Sequence, residues 1–141
     1  MSAGAGIESI THEGRVLALV LRRDFRCDGI EFFTPPEFSQ QLAYMNRPAG
    51  YRIAPHVHNE VRREVHLTNE VLFVRSGRVR VDFYDDARRF LRSTELRAGD
   101  VILLAEGGHG FEMLEDCEMI EVKQGPYAGD ADKTRFDPAP R

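Results

Sequence analysis

The sequence predicts an all-β domain. Helical periodicity is scarce, and short apolar runs recur between Gly, Pro, Asn and Asp punctuation. Several of these runs alternate apolar with polar residues, as a strand with one buried face must. The chain has 141 residues, with 42% apolar and 30% charged side chains. That fits one soluble domain built on a single core. No internal repeat or linker divides it, so 1–141 is read as one unit.

The elements follow in order. Ile7 to Thr11 and Arg15 to Leu21 read as strands joined at Glu13-Gly14. The second is apolar on both faces, so it is expected to be central or to lie at an interface. Phe32 to Pro36 breaks the pattern. Phe38 to Met45 suits a short helix or a strand, with a strand preferred because Pro48-Ala-Gly50 then turns into a strand at Tyr51 to His58. Asn59 to Asn69 is a polar segment. Glu70 to Arg75 is the next strand, and Ser76-Gly77 turns it into Arg78 to Tyr84. There Val79, Val81 and Phe83 alternate with Arg78, Arg80 and Asp82. Asp85-Asp86 turns towards Phe90 to Leu96, and Arg97-Ala-Gly-Asp100 towards Val101 to Leu104. Gly107-Gly108 is a sharp bend before His109. Phe111 to Leu114 and Met119 to Lys123 close the sheet. Residues 125–141 form a tail that wraps the surface or is disordered at its end.

The bulk numbers exclude some functions. A net charge of −4 offers no broad basic surface for nucleic acid. The arginine clusters at Arg62-Arg63, Arg75 to Arg80 and Arg88-Arg89 are interleaved with acids. No stretch is long enough to span a bilayer, and residues 1–14 carry no basic start followed by an apolar run. Cys27 and Cys117 form no metal knuckle or disulfide framework. A cytoplasmic protein with reduced thiols is the expectation.

The most informative residues are His56 and His58. On a strand, residues i and i+2 share a face, and two adjacent imidazoles make half of a transition-metal site. Glu70 and His109 are candidates for the other half. Glu70 shares a face with Leu72 and Val74, so it heads an inward apolar stripe where an unpaired carboxylate would be costly. A divalent cation or an arginine would compensate it.

The spacing is Gly50, five residues, His56-Val-His58, eleven residues, Glu70, six residues, Gly77, then Gly99-Asp100 and His109. This resembles the two motifs of the cupin superfamily, over residues 40–123. The resemblance implies a small β-barrel or jelly roll of antiparallel strands. It implies one divalent transition metal (Fe, Mn, Ni or Zn) held by His56, His58, Glu70 and His109. Glu70 is preferred to Glu60 and Glu64 because only it stands six residues before a Gly. Three imidazoles and one carboxylate leave an open coordination position. The family includes dioxygenases, sugar isomerases and epimerases, and decarboxylating enzymes, and a non-catalytic binding or sensing module is the alternative. The ligand is expected to be a small polar or anionic molecule. Arg62, Arg63 and His66, in the segment after His58, are the candidate substrate-binding residues. Gln41, Tyr51 and Glu112 are candidate pocket polar groups. A homodimer is expected, because the doubly apolar strand and the free sheet edges invite pairing.

Overall fold

In a computed structural model, described here for residues 7–138, the chain folds into antiparallel β-structure with a single 3₁₀ turn at Gly129–Ala131. The strands are β1 (Ile7–His12), β2 (Arg15–Leu21), β3 (Gly29–Phe32), β4 (Ala43–Asn46), β5 (Glu70–Ser76), β6 (Arg78–Tyr84), β7 (Phe90–Arg97), β8 (Val101–Leu104), β9 (Gly108–Met113) and β10 (Glu118–Lys123). The residues 139–141 of the expected disordered tail end lie outside the described part.

Two sheets face each other. The larger has the order β1-β2-β8-β5-β10, the smaller β7-β6-β9. Their inner faces supply one core. Ala18, Val20, Leu72, Val74, Ile102 and Leu104 come from the larger sheet, and Val79, Val81, Phe83 and Leu96 from the smaller. The alternation read in Arg78 to Tyr84 therefore does what it predicted for the apolar set, which is buried in the core, while on the other face Arg78 and Arg80 are partly exposed and Asp82 is buried under Arg80. Among the described residues, no hydrogen-bonded pairing joins the two sheets into a closed barrel.

The doubly apolar strand β2 is central. One face packs into the core, and Leu19 on the other is covered by Phe25 and Phe33 with Tyr44 and Leu42. Phe25 meets Phe33 and Tyr44 edge-on, at centroid separations of 5.3 and 5.1 Å. The ribbon β3-β4 is thus held over β2 from within the same chain, and β2 supplies no reason for a dimer.

Two expectations are corrected. Tyr51 to His58 has no helix, turn or bend but forms no strand, because nothing pairs with it. Of Phe38 to Met45 only Ala43–Asn46 is strand, and Gln41 ties the residues before it into turns. Its amide donates to the carbonyls of Pro35 and Phe38 at 3.0 and 2.9 Å. The strand β3 was hidden beside the expected breaker at Phe32 to Pro36.

Two motif residues find their reason in turns. Gly77 joins β5 to β6 at φ +81, where a Cβ would press onto the backbone of Asp116 and Cys117. Asp100 is buried, and its carboxylate accepts from the backbone N–H of Arg97 at 2.8 Å and of Arg23 at 2.9 Å. It also accepts from the Arg22 guanidinium at 3.2 Å.

Candidate functional site

The site starts from strand parity. Glu70 heads β5, with Leu72 and Val74 behind it on the inner face. On β9, His109 lies opposite Phe83 and Phe111 opposite Val81, so both point into the space between the sheets. On β10, Lys123 lies opposite Glu70 and Glu121 opposite Leu72, again inward. Three strands from two sheets therefore converge at one end of the sandwich.

There His109 Nε2 stands 3.6 Å from Glu70 Oε2, and Lys123 Nζ 4.0 Å from Glu70 Oε1. The Glu70 side chain is only 14% exposed. The hydrogen-bonding approach of His109 holds its carboxyl below the ordinary value against the opposing effect of burial, with help from the positive charges of Lys123 and Lys133. Lys123 is bound more tightly to the tail. Its ammonium lies 2.7 Å from Asp132 Oδ2, and Thr68 Oγ1 donates to Asp132 Oδ1 at 2.6 Å. Both bonds hold the Asp132 carboxyl low, and the bond to Asp132 in turn raises Lys123. The tail then continues to Phe136, which stacks edge-on against Tyr84 at 5.2 Å.

A cavity of about 1200 Å³ opens here. It is bounded by Glu70, His109 and Phe111 inside the sandwich, and by Gly110, Glu112 and Phe136 on the outer side of β9. The space wraps round the edge of β9. Lys133 and Arg135 of the tail and His66 stand at its rim.

The expected ligands fall into two pairs. Glu70 and His109 are together. His56 and His58 are also together, their rings 5.1 Å apart, with His56 Nδ1 2.8 Å from the Ala54 carbonyl. The second pair sits on the exposed segment 51–67 and does not border the cavity. Among the described residues, no group of three His, Cys, Asp or Glu side chains converges as a metal cage. Of the expected substrate residues, His66 borders the cavity, while Arg62 and Arg63 are exposed on the segment beyond it. Glu112 is engaged by Arg80 at 2.5 Å on the outer side of β9. Tyr51 is exposed beneath the Arg47 guanidinium, 4.4 Å from the ring centre.

Sequence reasoning missed Lys123, Asp132 and Thr68. Strand parity would have found Lys123, since Met119, Glu121 and Lys123 share a face. Nothing in the tail marks Asp132. No family model, no curated protein and no solved structure matches the chain.

Proposed function

We propose that the chain is a metal-binding protein of the cupin type that takes a small anionic metabolite at an open coordination position. The observation that carries this reading is the meeting of Glu70 and His109, from strands of different sheets, at the inner end of a large cavity. A carboxylate and an imidazole are a fitting start for a first-row divalent ion. Two such donors are too few on their own, and His56 and His58 are the remaining candidates. The chain also passes between the sheets after β5, β7, β8 and β9, the alternation that a jelly roll requires.

Bound there, the metal would polarise a chelating oxygen or activate dioxygen. The residues around it set the choice of ligand. Lys133 and Arg135 set positive charges among the carboxylates Glu106, Glu112, Glu121 and Asp132 of the lining, and Lys123 keeps an ammonium beside Glu70. Arg62 and Arg63, between Glu60 and Glu64, add two further guanidinium groups on the exposed segment. A hydroxy acid or a phosphorylated sugar suits such a mouth, and an enzyme acting on it is the leading reading.

The test is elemental analysis of purified protein. Wild type should carry about one transition metal per chain, Glu70→Gln and His109→Asn little, and Glu64→Gln the full amount. A wild type without metal, or equal content in all four proteins, removes the reading.

A further inference from the structure

One segment packs against little of its own chain, and only its end at residues 64–67 borders the body. Every residue from 45 to 67 is exposed. Among the described residues, no strand pairs with 51–67, and no backbone hydrogen bond ties 52–66 to the body. Yet the segment is patterned as a strand. Tyr51, Ile53, Val57, Val61, Val65 and Leu67 are all odd-numbered, large, apolar and exposed, Val57 to 83%. The even positions hold Arg52, Ala54, His56, His58, Glu60, Arg62, Glu64 and His66, and the odd set is broken only by Pro55, Asn59 and Arg63. Such a period belongs to a strand with two different faces, lying on something. In a single chain it leaves six large apolar side chains exposed.

The body has the complementary gap. β9 and β10 are consecutive and belong to different sheets, and each is an unpaired edge among the described residues. Together they flank the open side of the sandwich. The inner face of β9 is left half open there, with Phe111 36% and Met113 48% exposed. On the outer face of β10, Ile120 and Val122 are exposed beside Phe73. The cavity runs round both faces of β9, as the space beside an edge does when a strand is missing.

We propose that residues 51–67 of a second copy of this chain fill that edge, so that each site is completed by the partner. The added strand pairs with β9 and turns its even face inward. Residues directly opposite on neighbouring strands have Cβ atoms about 5 Å apart, so the partner's His56 and His58 stand beside His109 and Glu70. Its odd face gains cover from the surfaces that two copies present to each other. The occupant is a copy of the same chain because arm and edge are both left open in it. A two-fold exchange satisfies both without altering either. It also explains why the four ligands divide into two pairs, one on the body and one on the arm. The completion of the metal site rests on the proposed function, whereas the strand exchange stands without it.

Two experiments separate these parts. A photo-reactive benzoylphenylalanine at Val57, a side chain with no contact to lose, should give a covalent dimer on illumination, with the cross-link mapped to β9 or β10. Attachment within one chain, attachment to neither edge, or a 16 kDa species by light scattering overturns the exchange. For the site, a His56→Ala/His58→Ala chain and a Glu70→Gln/His109→Asn chain are co-expressed with different tags, and the heterodimer is isolated by tandem purification. Neither homodimer has a complete site. The heterodimer has one, and should recover about half of the wild-type metal per chain. A heterodimer as empty as the homodimers, beside a wild type that binds metal, overturns completion by the partner. A wild type that forms the covalent dimer but binds no metal supports the exchange and defeats the metal reading alone.

Discussion

Replacing Gly77 by Ala should destabilise the fold and leave the Glu70–His109 end intact. Gly77 has φ +81, and a Cβ there would come within 2.8 Å of both the Asp116 carbonyl carbon and the Cys117 Cα, and closer still to the Asp116 carbonyl oxygen. These are backbone atoms of the turn between β9 and β10, so they yield only if that turn moves. The left-handed backbone costs an L residue about 1–2 kcal/mol. Overpacking against atoms that must shift typically adds about 1–3 kcal/mol. A total of about 2–5 kcal/mol should lower Tm by roughly 10 °C in a domain of this size. Calorimetry or chemical denaturation reads this directly. Glu70 begins β5 and Gly77 follows its end, so the strand separates them by about 20 Å. Metal content measured below the new transition should therefore match wild type. A variant that melts within about 2 °C of wild type would refute the clash, because at this size that is under 1 kcal/mol. A variant that is stable but loses metal would show that this glycine serves the site.

The remaining predictions concern the other ties around the sheets. Asp100→Ala removes an acceptor used by two backbone N–H groups and the Arg22 guanidinium, and should cost about 3 kcal/mol in a denaturant titration, since a buried donor left unmatched loses more than an ordinary bond is worth. Asp132→Asn should loosen the tail, read as faster hydrogen exchange and proteolysis over 124–136. The sign follows from the shifts. The Asp132 carboxyl is held below its usual 3.8 and the Lys123 ammonium above its usual 10.5. The tie is therefore fully present between those values, weakens as pH falls through the lowered Asp132 value, and weakens as pH rises through the raised Lys123 value. Wild type should protect the tail better than the variant at neutral pH, and the two should converge in acid. Equal protection at pH 7 would refute the role of this pair.

The fold was legible where sequence-local chemistry decides it. The alternation of Val79, Val81 and Phe83, and the turns at Ser76-Gly77 and Arg97 to Asp100, each announce a strand or its end. The segment 33–46 was less legible. The chain there is held by side-chain bonds such as Thr34 to Gln41 at 2.7 Å, and by aromatic packing on β2. Neither leaves a period. The same limit applies to β2. Its two apolar faces state that both are covered and say nothing of whether a ribbon of the same chain or a partner covers them.

The candidate site shows that limit most sharply. Period two in 51–58 is a property of extended backbone with unlike faces, and the backbone there has no helix, turn or bend. A strand is more than that: it needs a neighbour whose N–H and C=O groups meet its own. Such a neighbour can be remote in sequence and can be offered by the same chain or by an identical one, since both carry the same edge. Glu70 and His109 were legible as a pair because each is fixed by strands whose partners lie within the chain: β5 between β8 and β10, and β9 against β6. His56 and His58 were legible as a pair because two residues along one extended backbone suffice. Joining the two pairs is a question of pairing partners, and the proposed strand exchange would answer it.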